Sequence, residues 1–484
     1  MRQPHVILIM CDDLGWGDTG YAGHPRLQTP GLDQIAGQGL RLDRFYAGGP
    51  VCSPTRGTCL TGRHYLRYGI THANCGRLPL EERSLGCIAS EVGYRTGHFG
   101  KWHLGTMSAE HRDGNRGGGD PRVVSPPWRH GFQVCFSTES KVPTWNPGWV
   151  PDEVDEHGNA RWGQPETPWP THYWRQDGLP VEQTGKGCDS AIIMDEALKF
   201  IGHAVESEQP SLSVIWFHAP HTPVVAGPQW LNLYADCSEA EQHYYGCVSA
   251  MDAQLQRLDE HLRTWGIFDD TLLWFCSDNG PEGGADPTRR GRNQGSTGGL
   301  RGRKRSLYEG GIAVPGLIRY PRKFTPGVRH QPMSTLDILP TCCRVMGIDL
   351  REAIGDERPI DGEDILSLLD DPNAQRKQPI PYRFLAKRSA MFNAPTFAIM
   401  DGEEKLLTNL DPEGAHDQLY NMDTDRNEMS SLASSQAARV AELRTWLESF
   451  LSSCRASHAG KDYVQPIDMI TPFQEPGSWL EDLQ

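Results

Sequence analysis

The chain has 484 residues, 37% hydrophobic and 23% charged, with a formal net charge of −15 and an isoelectric point near 5.6. That is a globular composition, long enough for one large domain plus a smaller one and neither fibrous nor disordered. The acidity opposes long-range attraction to nucleic acid and to anionic membranes, so neither is expected as a partner, and an anionic substrate needs positive charge concentrated in its site. Residues 6–10 (VILIM) form an apolar run too short for a signal core or a bilayer span, and no later stretch approaches membrane length. As written the chain carries no export signal, which predicts a soluble cytoplasmic protein, or a periplasmic or secreted one if a leader has been trimmed. The thirteen cysteines include no C-x-x-C pair, which argues against a zinc knuckle, and most are expected to be small buried hydrophobes.

Residues 6–10, 213–217, 271–275 and 316–320 are short apolar runs bounded by turn residues, as in strands buried on both faces of a mostly parallel sheet. Helical patterns lie between them. Thr29-Pro30 opens a short helix as cap and first-turn proline, Asp189 caps a pattern running to about 204, and a longer one spans 238–265. Residues 334–346 predict another, with Pro340 as a kink. The alternation predicts an α/β fold, a large mostly parallel sheet sandwiched by helices. Residues 106–187 are rich in Gly, Pro and Trp (Trp128, Trp145, Trp149, Trp162, Trp169, Trp174) and predict a long irregular insertion. From about residue 373 to 484 the character changes. Residues 397–400 and 405–410 alternate like a small antiparallel sheet, a helix is expected over 434–451, and the last thirty or so residues read as a tail packed over the surface. The expected division is a catalytic domain over 1–372 and a C-terminal α+β subdomain over 373–484.

Chemistry concentrates after the strands. Asp12 and Asp13 directly follow the first, and Ser277-Asp278-Asn279-Gly280 follows the run at 271–275. In open α/β sheets, ligands sit beyond the carboxyl ends of strands. Alone, the acid pair is as readily a solvated turn, and Asn-Gly an ordinary one. Together Asp12, Asp13, Asp278 and Asn279 offer only oxygen ligands, which suit a hard cation, calcium or magnesium, rather than zinc. The third cluster is Cys52-Ser53-Pro54-Thr55-Arg56-Gly57-Thr58-Cys59-Leu60-Thr61-Gly62-Arg63.

That string resembles the signature C-x-P-x-R followed by T-G-R of the formylglycine-dependent sulfatases, in the alkaline phosphatase superfamily. Thr55 stands where serine is commoner. The resemblance extends through Gly100-Lys101-Trp102-His103-Leu104-Gly105, Ala219-Pro220-His221-Thr222-Pro223, and Gly302, Lys304 and Glu309-Gly310-Gly311. Less closely it takes in Leu419-Tyr420-Asn421-Met422 with Asp425, Asn427 and Glu428. It implies an alkaline-phosphatase-like fold and hydrolysis of a sulfate ester, with bacterial polysaccharide sulfatases nearest in character and a galactose- or N-acetylgalactosamine-type sulfate as substrate. It also implies a partner enzyme, the formylglycine-generating or sulfatase-maturing enzyme, that oxidises Cys52 to an aldehyde. One hydroxyl of the hydrated aldehyde attacks sulfur and the other later expels sulfate, which splits the reaction into two easier steps.

The resemblance assigns Asp12, Asp13, Asp278 and Asn279 to the cation, calcium or magnesium, and Arg56 to polarising the gem-diol. Asp278 is a further acceptor of the nucleophile's proton. Lys101 binds sulfate or supports position 52, and His103 is the base for sulfate release. His221 and Lys304 hold the ester oxygen, with His221 the better acid because an unperturbed histidine titrates near neutrality. His218 reads as structural. Arg289, Arg290, Arg292, Arg301, Arg303 and Arg305 surround Lys304. They form either a solvated charged face or an anionic subsite, with Arg301 and Arg303 as substrate-binding candidates. Ser137 and Thr138 are further candidates for touching sulfate, and the tryptophans either stack on sugars or pin the insertion. The rivals are a phosphonate or phosphate ester hydrolase on the same scaffold and an inactive sulfated-glycan-binding protein.

Overall fold

The structure, a computed structural model, describes residues 3–111, 113, 120–151, 167–182, 184–283, 292–385 and 395–463. The tail expected at the C-terminus falls almost entirely outside the described residues, as do Trp162, Arg289 and Arg290.

Nine strands form one sheet in the spatial order Gly327–Arg329, Leu40–Leu42, Gly316–Arg319, Thr271–Ser277, His5–Cys11, Ser211–Trp216, Arg95–Lys101, Val134–Thr138 and Tyr173–Trp174. The five from Thr271–Ser277 to Val134–Thr138 run parallel. Gly316–Arg319 lies antiparallel to both its neighbours, and Tyr173–Trp174 antiparallel to Val134–Thr138. Every residue of His5–Cys11 and of Thr271–Ser277 is buried, which is why both read as continuous apolar runs rather than alternations.

Alternate side chains of the central strand enter two cores. Val6, Leu8 and Met10 pack with Leu60, Ile88, Leu339 and Cys342 on one face, and Ile7, Ile9 and Cys11 with Leu32, Ile193, Met251 and Leu255 on the other. Each such aliphatic side chain contributes about 1.5–3 kcal/mol by leaving water. The second face carries Pro30–Gln38, Asp189–Glu206 and Glu239–Thr264, and the first carries Cys52–Thr61, Leu85–Glu91 and Ile338–Met346.

Helix boundaries depart from expectation where tertiary contacts take over the caps. Ser238 and Glu241 form a capping box at the start of Glu239–Thr264, a pattern visible in sequence. Thr29 sits at the cap position of Pro30–Gln38 without a side-chain capping bond. Its hydroxyl accepts from Gly20 N, and the helix start is satisfied by Asp252, whose two oxygens accept Gly31 N and Leu32 N at 2.7 Å each. Cys188, not Asp189, stands at the cap position of Asp189–Glu206, without a side-chain capping bond, and the Asp189 carboxylate is turned inward to Tyr173 and His218. Pro340 makes no interior kink. Residues Thr335–Asp337 are 3₁₀ and the α-helix begins at Ile338, so the proline falls in its first turn, where a missing N–H is tolerated.

The segment 106–187, expected to be irregular, supplies Val134–Thr138 and Tyr173–Trp174 to the main sheet. Trp174 is fully buried with its indole N–H on Asp113, and the Trp169 indole donates to Lys141 O at 3.0 Å, so both tryptophans pin this segment. Beyond the helix Leu366–Asp370, the strands Ile380–Arg383, Phe397–Asp401, Glu404–Thr408 and Gln418–Asn421 form an antiparallel sheet in that order. The last helix is Ala437–His458, three residues later in start and seven later in end than expected. Val440, Leu443, Leu447, Phe450 and Leu451 are buried at i, i+3, i+4 spacing, and Cys454 and Ser457 carry the buried face past the expected end. All thirteen cysteines are free thiols, nine of them buried.

Candidate active site

The parallel strands deliver their next residues to one end of the sheet. Cys11 pairs in register with Ser277, so Asp12-Asp13 and Asp278-Asn279 leave adjacent strands side by side. The Asp13 N–H donates to Asp278 Oδ1 at 3.2 Å, and Asp12 N–H to Ala219 O at 3.1 Å, which ties the loop bearing His221 to the acid pair. Lys101 ends a third strand. Gly100 before it has φ +96, and a Cβ there would lie 2.0 Å from Trp216 O, so only glycine lets these strands approach.

Cys52 is the first residue of the helix Cys52–Thr61, and Arg56 stands one turn on, on the same face. All ten helical residues are buried, and their polar side chains are paired. Ser53 Oγ donates to His103 O at 2.7 Å, Thr55 Oγ1 to Gly49 O at 2.9 Å, and Thr61 Oγ1 to Gly57 O at 2.9 Å. Gly62, at φ +63, ends the helix, and Arg63 is buried against Asp462, Glu82 and Pro359 O. The T-G-R half of the motif is thus a helix stop and an anchor.

The centre is dense in charge. Lys101 Nζ lies 2.5 Å from Asp12 Oδ2, Lys304 Nζ donates to Asp13 Oδ1, and Arg56 donates to Asp278 Oδ2 from both Nε and Nη2. Cys52 Sγ is 3.4 Å from Asp12 Oδ1 and 3.5 Å from Lys304 Nζ. His221 Nε2 is 3.7 Å from Asp13 Oδ2, and its Nδ1 faces Thr222 O at 2.7 Å. Asp12, Asp13, Cys52 and His221 each place a ligand atom within 4.8 Å of the others.

Burial opposes ionisation of Asp12, yet Lys101, His221, Arg56 and Lys304 hold its carboxyl well below the usual range. Burial and the Asp12 charge push Asp278 up. Burial, with Asp12 and Asp278, pushes the Cys52 thiol well above its ordinary value, so an unmodified thiolate nucleophile is disfavoured here. Burial depresses His221 to about 3, below the value of an unperturbed histidine. Burial works against the charge of Lys304, but Asp13 more than restores it.

A hard cation fits the donor set. Asp13 Oδ2 and Asn279 Oδ1 are buried acceptors with no hydrogen-bond partner, while Asn279 Nδ2 is already used on Asp13 Oδ1 at 2.7 Å and Gly280 O at 2.9 Å. Buried oxygens without partners are costly, and a calcium-class ion on carboxylate and amide oxygens would satisfy them. Gly280 packs so closely under the Glu309-Gly310-Gly311 turn that a Cβ would lie 2.0 Å from Gly310 O, which brings the Lys304 loop onto Asn279.

Other sequence candidates fall elsewhere. Ser137 and Thr138 are fully buried. Ser137 Oγ pairs with His98 Nδ1 at 2.7 Å and Thr138 Oγ1 with His218 Nε2 at 2.7 Å, so both hydroxyls are engaged within the protein. His218 is held on its other side by Asp189 at 2.9 Å. Arg301 lies 3.8 Å over the Tyr308 ring and donates to Glu428 O at 2.9 Å, and Arg303 donates to Gly295 O. Both guanidinium groups are engaged with the surrounding chain. Two residues near the centre carry no motif of their own. Glu282 takes a two-pronged ion pair from Arg305 at 2.7 and 2.8 Å and lies 3.9 Å from Lys304 Nζ. Asn74 Oδ1 is 2.5 Å from His103 Nε2. The one available signal for Glu282 is its place directly after Asp278-Asn279-Gly280-Pro281.

A family model described as Sulfatase matches residues 4–348. Among curated proteins, human arylsulfatase A is 31% identical over 377 residues, covering 76% of this chain and 68% of its own. Human N-acetylgalactosamine-6-sulfatase is 28% identical over 387 residues, covering 76% and 66%. Among solved structures, Ps i-CgsB in complex with k-i-k-neocarrahexaose superposes with a TM-score of 0.73 at 24% identity, covering 94% of this chain and 93% of that one. The phosphonate monoester hydrolase of Agrobacterium radiobacter superposes with a TM-score of 0.61 at 20% identity, covering 94% and 96%. The chain shares their alkaline-phosphatase-like α/β fold. No helix among the described residues is long and apolar enough to cross a membrane.

Proposed function

Because the chain belongs to the sulfatase family, we propose that it is a sulfuric ester hydrolase that removes O-sulfate from a carbohydrate of the galactose or N-acetylgalactosamine class. The observation that carries this is the meeting of Cys52, at 3.4–3.5 Å, with a carboxylate and an ammonium that belong to two different acid–lysine pairs. The carbohydrate class rests on the similarity to N-acetylgalactosamine-6-sulfatase. The catalytic unit is placed in residues 1–372, with 373–484 as its C-terminal subdomain.

In this proposal Cys52 is converted by a maturing enzyme to formylglycine, whose hydrate supplies an oxygen nucleophile that the buried thiol does not. Asp12, Asp13, Asp278 and Asn279 hold a calcium or magnesium ion, which supplies charge stabilisation to sulfate oxygens when bound. Arg56 orients the hydroxyls at position 52 and, through its bidentate contact, keeps the Asp278 carboxylate facing them. Lys101 and Lys304 carry positive charge on either side of position 52, one toward the sulfate and one toward the leaving oxygen. His221 stands beside Lys304 at the ester oxygen, and His103 is the base at the hydroxyl that expels sulfate.

The test is turnover by the converted enzyme of matched 4-nitrophenyl sulfate and phenylphosphonate esters, followed by a panel of sulfated galactose and N-acetylgalactosamine saccharides. Sulfate hydrolysis lost in Cys52→Ala is expected. A clear preference for the phosphonate, or full activity in Cys52→Ala, overturns the proposal.

A further inference from the structure

His103 is held at two points. Its backbone, at φ +59, is fixed by Ser53 Oγ on its carbonyl oxygen at 2.7 Å, one residue from Cys52. Its ring is fixed by Asn74, whose Oδ1 lies 2.5 Å from Nε2. An amide oxygen only accepts, so in the neutral ring Nε2 carries the proton and Nδ1 the lone pair. Asn74 itself stands at φ +68, a left-handed conformation that asparagine tolerates better than other side chains bearing a Cβ. Its segment is anchored on both sides. The His72 ring stacks on Phe384 at 5.3 Å, and Leu78 N–H donates to Leu104 O at 2.7 Å.

We propose that Asn74 is a positioning residue that holds the His103 ring in its Nε2-protonated tautomer and in a single orientation. Resting on the sulfatase reading, this assigns to Asn74 the selection of which ring nitrogen can accept a proton at position 52. A histidine base with the wrong nitrogen protonated is present but inactive, so the effect falls on turnover more than on binding.

The direct test needs no maturation of Cys52. The full chain, labelled with ¹⁵N-histidine, is compared as parent, Asn74→Ala and Asn74→Asp, with His103 assigned by its loss in His103→Ala. The parent and Asn74→Asp, which keeps an acceptor oxygen, are expected to show the Nε2-protonated pattern. Asn74→Ala is expected to show a mixed or reversed tautomer. In converted enzyme, with equal conversion checked by intact mass, Asn74→Ala is expected to lower kcat about 10–100-fold, the usual effect of removing a partner that orients a functional histidine, with KM nearly unchanged. An unaltered tautomer in Asn74→Ala, or equal behaviour of the Ala and Asp variants, overturns the proposal. Absence of sulfatase activity in the parent overturns the functional reading instead and leaves the tautomer measurement standing.

Discussion

Arg56 donates Nε and Nη2 to a single oxygen, Oδ2 of Asp278, at 3.1 and 2.7 Å, while Oδ1 of the same carboxylate accepts the Asp13 N–H at 3.2 Å. One carboxylate thereby joins the helix that starts at Cys52 to the two strand ends that bear the acidic residues. Arg56 also donates Nη1 to Lys101 O at 3.0 Å and lies 5.1 Å over the Trp216 ring, so a third and a fourth strand are drawn into the same arrangement.

Removing the guanidinium leaves Asp278 buried beside Asp12 without its main compensating charge. Arg56→Ala is expected to lose about 3–5 kcal/mol of unfolding free energy, the range for breaking a buried pair from one side, together with all measurable turnover. Arg56→Lys keeps the charge but not the two-pronged geometry and should recover part of the stability and little of the activity. Urea unfolding followed by intrinsic fluorescence reads the first effect, and an unchanged midpoint and slope for Arg56→Ala would refute it.

The oxygens of Asp13 and Asn279 that lack a hydrogen bond predict a calcium response that does not depend on catalysis. Metal-stripped, unconverted protein should gain about 2.7 kcal/mol of stability at a calcium concentration 100 times Kd, seen as a rise in Tm. Asp13→Asn should abolish that rise. Equal calorimetric traces with and without calcium would remove the assigned ligands from consideration.

Lys405, in the C-terminal sheet, is fully buried between Glu309 at 3.0 Å and Glu428 at 2.8 Å, and Glu428 Oε2 accepts the Glu309 N–H at 2.7 Å. Glu309 begins the turn that packs on Gly280. Lys405→Met removes the ammonium shared by two buried carboxyl groups, of which Glu309 keeps Tyr46 and Arg426, and should cost about 3–5 kcal/mol. The triple change Lys405→Met, Glu309→Gln, Glu428→Gln removes all three charges and should recover part of that loss. Comparable destabilisation in the single and triple variants would show that packing, not charge, dominates there.

Asp361 accepts both prongs of Arg67 at 2.7 Å each and the His64 N–H at 2.7 Å. Burial alone raises its pKa, but Arg67 and that N–H hold it below the ordinary 3.8. A carboxyl with a depressed folded value stabilises fully above its ordinary pKa and loses that contribution as pH falls through the folded one. The stability gap between the parent and Asp361→Asn should therefore be full at pH 7 and shrink below about pH 4. A gap that is constant from pH 7 to pH 3 contradicts the assignment.

The candidate site residues could be singled out in the chain because the motif spacings are covalent. Cys52 and Arg56 stay four residues apart whatever surrounds them, and acids directly after apolar runs are acids at strand ends. The central strands were legible for a related reason, since burial on both faces demands unbroken apolar sequence. Other elements carried no such mark. The helix Cys52–Thr61 is polar in sequence and wholly buried, because its hydroxyls find partners, Ser53 and Thr58 in segments far along the chain and Thr55 and Thr61 close by. The strand Arg95–Lys101 has no apolar run, and His98 is accommodated there by Ser137.

By itself, then, the sequence determined the fold class, the residues of the acid and basic clusters, and the family resemblance, all of which depend on local spacing and on burial of apolar runs. Only the tertiary structure decided which oxygens lack hydrogen-bond partners, that Asp252 rather than Thr29 caps the first helix, that Ser137 and Thr138 pair with His98 and His218, and that Asn74 meets His103. These depend on distances between segments tens to hundreds of residues apart, and no local pattern encodes them, because a polar side chain reads the same whether its partner is water, a carbonyl or a catalytic ring.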